Sequence, residues 1–389
     1  MNLNFYNTPE PEKFTTTFLP KVRPGFLEHR PDFELLKKVA TDYERFENIL
    51  VVAHGGSINP LLGLYNALKY QASKNIYFLN TVDPDYITEL KKKLDKNNTL
   101  VLSISKSGEN TTQLEETFSF EGYSVVVVTG KNSPLRAIAE KMHWPVIDHP
   151  PIGGRYTGLT EVNLIATSIA GLDVKSLYEG GQEVYLQYEK ENLAWKAASV
   201  FYQLEKKGFV DVLMFFYSHY LFYSSFGIVQ LCHESFGKDG KGQSFFAHEG
   251  PEVQHHTTQR YYGGPKNIAG FFITIDKFLN ESSIDYPASA HSVQIKGHHL
   301  FDINKIPLTT ALNAEAEANI EDSRIRGIPA ASMQLSNFSA KEIGRFTAFW
   351  QLFAVYSSLL RQVDPFDQPE VENSKKISFT KRLQFKGLL

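Results

Sequence analysis

The stretch "TLVLSISKSGENTTQ", Thr99–Gln113, decides the fold. It opens on residues that suit a buried strand, Leu100 to Ile104, and closes on residues that suit a helix. Between them stands a row of hydroxyls, Ser105, Ser107, Thr111 and Thr112, together with Lys106, Gly108 and Asn110. A strand that hands over to a helix through a tight loop is the unit of a parallel sheet. In such sheets ligands bind outside the carboxyl ends of the strands.

The same rhythm runs outward in both directions. "NILVVA" (48–53), "NIYFLN" (75–80), "SVVVVTG" (124–130) and "WPVIDH" (144–149) read as strands. "NPLLGLYNALKYQA", "DYITELKKKLDK", "TQLEETFSF" and "PLRAIAEKM" read as the helices between them. In the second of these, Ile87, Leu90 and Leu94 fall on one face. Strands alternating with helices predict an α/β fold with a parallel sheet covered on both faces. Past residue 190 the alternation returns. "FVDVLMFFY", "IAGFFITI" (268–275) and "IPAASMQL" (328–335) are strands; "HYLFYSSFGIVQLCHESFG", "ALNAEAEANIEDSRI" and "SAKEIGRFTAFWQLFAVYSSLLRQV" are helices. The expected joint is 172–192, where "EGGQ" (179–182) interrupts the helical pattern. Residues 1–45 are expected to be a polar arm ending in a helix, and the chain from Asp364 onward a polar tail.

Composition bounds the function. The 389 residues are 42% hydrophobic and 21% charged, an ordinary globular balance for two domains. A net charge of -3 with no long basic run gives no nucleic-acid footprint. The single cysteine, Cys232, excludes an internal disulfide framework and disfavours a cysteine zinc site. The N-terminus lacks a secretory pattern, and the most apolar run, 212–229, is cut by Ser218, His219, Ser224 and Ser225. A cytoplasmic protein without membrane segments is expected.

The hydroxyl row sits where a helix N-terminus offers free N–H groups and a positive dipole end. Gly108 lets the backbone approach a ligand closely, and Ser105, Lys106, Ser107 and Thr111 add donors, a set that suits a phosphate monoester. A Ser/Thr capping turn is the structural alternative. The order is neither that of a Walker loop nor that of a dinucleotide turn. "HGGSINP" is a second loop of the same kind, with Gly56 and Ser57 as candidate contacts. Two such loops at strand ends favour a sugar phosphate.

Three motifs in order, "HGGS", "SISKSGENTT" and "PPIGGRYTGLT" (150–160), resemble those of the glucose-6-phosphate isomerase family, in its compact bacterial form. "PFDQPEVENSKK" (365–376) resembles that family's C-terminal motif. The resemblance covers residues 50 to 376 and implies two flavodoxin-like, three-layer αβα sugar-isomerase (SIS) domains. They fall at 46–175 and 190–363, preceded by the arm 1–45 and followed by the tail 364–389. It implies interconversion of glucose 6-phosphate and fructose 6-phosphate in glycolysis and gluconeogenesis, with no metal or organic cofactor, by a homodimer whose sites are shared between subunits.

Residue by residue, the resemblance makes Glu234, in "CHESFGKDGKG", the base that moves a proton between C2 and C1. His255 lies 21 residues on and acts in ring opening from the partner subunit, with His256 as the alternative register. Lys375 serves the ring oxygen and O1. Gln368 binds sugar or phosphate, and Arg155 faces the enediolate charge. Read without the family, Glu234 and Lys375 are solvated charges, and the His pair is a weak metal signal. The chain departs from the family at Ala53-His54, which stand where Gly-Ile is usual, and at Asn110 or Thr111, which compete for one threonine position. A mannose-6-phosphate or dual-specificity isomerase is the alternative enzyme. A non-catalytic sugar-phosphate sensor is the alternative outside enzymes.

Overall fold

The computed structural model describes residues 1–388 and contains two five-stranded sheets. β1 is Asn2–Tyr6, β2 Asn48–Ala53, β3 Asn75–Leu79, β4 Thr99–Ser105, β5 Ser124–Thr129 and β6 Val146–Asp148. β7 is Asp211–Phe216, β8 Ser244–Glu249 and β9 Ile268–Ile275; β10 (Gln294–Ile295) and β11 (His298–His299) form a small hairpin; β12 is Ala330–Leu335. The first sheet runs β3-β2-β4-β5-β6, parallel throughout, with Asn48 of β2 opposite Thr99 of β4. This is the flavodoxin-like order, and its direction of winding reverses between β2 and β4. The second sheet runs β1-β12-β9-β7-β8. Its strands β8-β7-β9-β12 repeat the same order, and helices flank both sheets.

The inner strands of both sheets are apolar along nearly their whole length because both faces are covered. Alternate residues of β2 and β9, such as Ile49, Val51, Phe271 and Ile273, enter one large core shared by the two sheets. Leu50 and Val52 face a separate outer cluster, and Leu213 and Phe215 of β7 face another. The helix Ala340–Arg361 crosses the shared core and is buried on nearly every face, which explains its all-round apolar sequence.

Several expectations are corrected. The arm 1–45 is not merely polar: β1 pairs antiparallel with β12, so the second sheet is mixed rather than parallel. Its alternating pattern is short and polar, which suits an edge strand. "EGGQ" does not break a helix. It lies inside the continuous helix Val174–Tyr185, and a Cβ on Gly180 would stand 1.9 Å from the Lys341 carbonyl oxygen. The two glycines permit a close helix crossing. The apolar stretch from 219 is two helices, His219–Phe222 and Ser224–Phe236, the first capped by Ser218. β8, "SFFAHE", was not expected as a strand; it is a half-buried edge carrying His and Glu. The polar tail also carries a helix, Glu372–Phe385, with no buried residue.

Candidate active site

Two loops of the first sheet meet beside a helix of the second. After β2 the chain makes a 3-10 turn, Gly55–Ser57; after β6 it makes another, Gly154–Tyr156. They touch so closely that a Cβ on Gly56 would lie 2.0 Å from the Gly154 carbonyl carbon. The Thr157 hydroxyl reaches the carbonyls of Gly56 (3.1 Å) and Gly154 (2.7 Å). Gly55, at φ +55°, leaves room for the Gln230 side chain, whose Nε2 would be 2.9 Å from a Cβ there.

Arg155 is buried at this junction, 3% exposed, and donates all five of its N–H groups. Nε reaches Ser235 Oγ (3.0 Å). Nη1 reaches Glu234 (3.2 Å) and Gln368 (2.6 Å). Nη2 reaches the carbonyls of Pro365 (2.6 Å) and Asp367 (2.9 Å). The other oxygen of Glu234 accepts from Gln230 Nε2 at 2.9 Å, and Gln230 accepts from Asn59 at 3.0 Å. The carboxylate is thereby aimed by two donors while remaining partly open to solvent. Burial pushes the Tyr156 phenol up to about 12, so it stays neutral beside Ser235 Oγ at 2.9 Å.

Of the residues singled out by sequence, Arg155, Glu234 and Gln368 come together, with Gly56 packed behind them and Ser57 buried on the same turn. Gln230, Asn59 and Lys238 were missed. Lys238 is buried, pairs with the Asp367 carboxylate and donates to the carbonyls of Asp364 and Asp367. With Arg155 it pins the segment 364–368. The spacing of Gln230 and Glu234, four apart on a helix, was the available signal for that pair.

The hydroxyl row lies at the end of β4, beside the first loop. Ser105 Oγ accepts from Gly108 N (3.1 Å), Ser107 Oγ from Glu109 N (3.4 Å), and Asn110 caps the helix Thr111–Ser119 by accepting from Thr112 N (3.2 Å). Those three side chains therefore shape the loop, as the capping reading requires. Gly108, at φ +67°, packs against Leu135 and Ser133, where a Cβ would lie 2.8 Å from either. Lys106 and Thr111 make no side-chain hydrogen bond to other described residues.

Lys375 and His255 make no hydrogen bond or ion pair with Arg155 or Glu234 among the described residues. Lys375 is exposed on the C-terminal helix and pairs with Glu372 at 2.8 Å. His255 ends the turn Glu252–His255 with its side chain exposed. His256 bonds Thr257 Oγ1 (2.6 Å), and its ring is 5.0 Å from that of His248. Among the described residues no group of three or more His, Cys, Asp or Glu is arranged to hold a metal ion.

The departure at His54 has a structural counterpart. Its Nε2 lies 2.9 and 3.0 Å from the two oxygens of Glu116, on the helix that follows the hydroxyl row. Glu116 is buried, and burial raises its pKa, opposed by the bond and charge of His54.

No protein-family model matches the chain. The fold, two flavodoxin-like sheets packed on a shared core, is that of solved phosphosugar-isomerase structures. Along most of its length the chain is similar to proteins named glucose-6-phosphate isomerase. It is 27% identical over 360 residues to a "probable glucose-6-phosphate isomerase" of Methanococcus maripaludis, covering 86% of this chain and 78% of that one. It is 24% identical over 351 residues to a glucose-6-phosphate isomerase of Methanocaldococcus jannaschii, covering 85% and 83%. Among solved structures, a hypothetical protein of Thermus thermophilus matches with a TM-score of 0.81 at 25% identity over 92% of this chain and 89% of that one. A glucose-6-phosphate isomerase of Chlamydia trachomatis shares the fold at a TM-score of 0.76, with 18% identity over 99% and 82%.

Proposed function

We propose that the chain is an aldose–ketose isomerase that interconverts glucose 6-phosphate and fructose 6-phosphate through ring opening and a cis-enediol. The observation that carries this reading is the aimed carboxylate. Glu234 is held between Arg155 and Gln230 where the two glycine loops meet. A carboxylate so placed takes a proton from one face of C2 or C1 and returns it to the other carbon. The guanidinium beside it stabilises the enediolate that forms in between. The phosphate lies on the row 105–111, held by Lys106, Thr111 and the helix N-terminus. The curated relatives' names support both the reaction and the sugar-phosphate substrate.

The same reading takes the protein as a cytoplasmic homodimer working in glycolysis and gluconeogenesis. No described helix is long and apolar enough to cross a membrane. The segment 276–308 exposes Leu279, Ile284, Val293, Ile295, Phe301 and Ile306, an apolar surface suited to a second copy. In the dimer His255, exposed in its own chain, enters the other subunit's site. Light scattering at micromolar concentration tests this: a mass of one chain rejects the dimer.

The reaction is tested by proton NMR of the protein with fructose 6-phosphate in D2O, with mannose 6-phosphate in parallel. Glucose 6-phosphate carrying deuterium at C2 is the expected product. Comparable turnover of mannose 6-phosphate establishes dual specificity instead. Binding of both sugars without turnover makes the protein a sensor.

A further inference from the structure

The run "GKDGKG" (237–242) follows Glu234, and the isomerase reading above gives it no role. The helix Ser224–Phe236 ends at Gly237, and Asp239, Gly240 and Gly242 then take positive φ angles of 54°, 71° and 98°. That reversal brings both lysines of the run to the end of the helix Ala340–Arg361 and the stretch beyond it. Lys241 Nζ reaches the Arg361 carbonyl at 2.9 Å. Lys238 Nζ donates to the carbonyls of Asp364 and Asp367, the second at 2.6 Å, and to the Asp367 carboxylate.

All three donors of the Lys238 ammonium are thereby used. The Asp367 carbonyl accepts from Lys238 and also from Arg155 Nη2 at 2.9 Å. With both lone pairs of that oxygen filled, the peptide leading into Gln368 is fixed. Gln368 Oε1 accepts from Arg155 Nη1 at 2.6 Å, on the same nitrogen that meets Glu234. The amide nitrogen of Gln368 bonds no described residue, so its two N–H donors are unspent.

We propose that Lys238 is a positioning residue: by clamping Asp364 and Asp367 it sets Gln368 beside Glu234, and so ties substrate bound by the C-terminal segment to the helix that carries the base. The inference rests on the isomerase reading, in which Gln368 touches the sugar phosphate.

Two observations argue for this beyond a part in packing. The Lys238 side chain is only 6% exposed, and a buried ammonium is costlier than an apolar side chain of similar size unless its charge has a use. The segment it holds has little packing of its own. Of residues 364–368 only Pro365 is buried, so the two cationic side chains, Arg155 and Lys238, do the holding.

The test is a double-mutant cycle on the full chain with fructose 6-phosphate as substrate. Lys238→Met removes the three donors and fills nearly the same space. It is expected to raise KM by about 10–100-fold and to change kcat by less than about threefold, because a displaced Gln368 loses its contacts with bound sugar. Gln368→Ala is expected to do the same. Lys238→Met added to Gln368→Ala is then expected to raise KM by less than about threefold more, since the residue acts through Gln368. Asp367→Asn removes only an exposed carboxylate and keeps every carbonyl. It is expected to raise KM by about 3–10-fold with the same non-additivity, and it runs the cycle if Lys238→Met does not fold. An unchanged KM, with or without the lower kcat that a loss of folded enzyme gives, overturns the proposal. So do KM effects that multiply in the double variant, and both results leave the isomerase reading standing. Absence of turnover by the unaltered protein overturns that reading and this inference together.

Discussion

In the proposed function Glu234 and Arg155 divide the chemistry of the candidate site, and each makes a separate prediction. Glu234→Gln keeps the shape but removes the base, and its single carbonyl oxygen accepts from one of Arg155 and Gln230 rather than both. It is expected to lower deuterium exchange at C2 by about 10²–10⁴-fold while sugar-phosphate affinity changes little, as read by NMR and calorimetry. An unchanged exchange rate reassigns the base. Arg155 uses its fork of five donors to join three stretches of chain, 154–155, 234–235 and 365–368. Arg155→Lys keeps the charge but supplies only three donors from one nitrogen. It is expected to destabilise the fold by about 2–3 kcal/mol, because buried acceptors lose their partners, as measured by denaturant unfolding. Both residues were legible in sequence because they sit in short motifs. Asn59 and Lys238 were not, since their partners lie in other elements, 126 positions away for the Lys238 contact with the Asp364 carbonyl. Gln230 offered only its four-residue spacing from Glu234.

Two helices show how elements are held. Val174–Tyr185 crosses Ala340–Arg361 at backbone distance: Gly180 faces the Lys341 carbonyl, and a Cβ on Gly344 would stand 1.9 Å from the Leu177 carbonyl oxygen. Gly180→Ala is expected to cost about 2–3 kcal/mol by forcing the helices apart. Gly25→Ala, with nothing within 4 Å of the added methyl, serves as the control and is expected to be near neutral. The C-terminal helix Glu372–Phe385 has a weaker attachment. Arg382 reaches across to Glu115 at 2.7 and 2.8 Å, and the Arg382 hydrogen bond lowers the Glu115 pKa below its ordinary 4.5. A lowered carboxylate pKa contributes stability that is complete above the unfolded value and is lost as pH falls through the folded one. The helix is therefore expected to loosen only below about pH 4.5, and Arg382→Ala to loosen it at neutral pH. Protease sensitivity after residue 370 reads both. The helical character of this tail was illegible because its charged residues show no apolar stripe, and no residue of it is buried.

At the scale of the molecule, two sheets of one topology share a core, and the chain's first strand completes the second sheet. The positions β3-β2-β4-β5 and β8-β7-β9-β12 correspond in order. Where the first sheet continues with parallel β6, the second takes antiparallel β1, more than 300 residues away in sequence from its partner. Removing residues 1–7 deletes that pairing and exposes the edge of β12. It is expected to lower stability by about 3 kcal/mol or more and to promote association, readable by thermal unfolding and light scattering.

Read along the chain alone, the strand–helix alternation, the parallel first sheet and the two glycine loops were legible. These are local properties: a strand covered on both faces must be apolar throughout, and a loop that admits a ligand must use small residues and donors. Only the tertiary structure decided that β1 closes the second sheet, that Gly180 and Gly181 mark a crossing rather than a joint, and that His54 meets Glu116. Those outcomes depend on which distant surfaces touch, and periodicity along a chain carries no information about contacts across it.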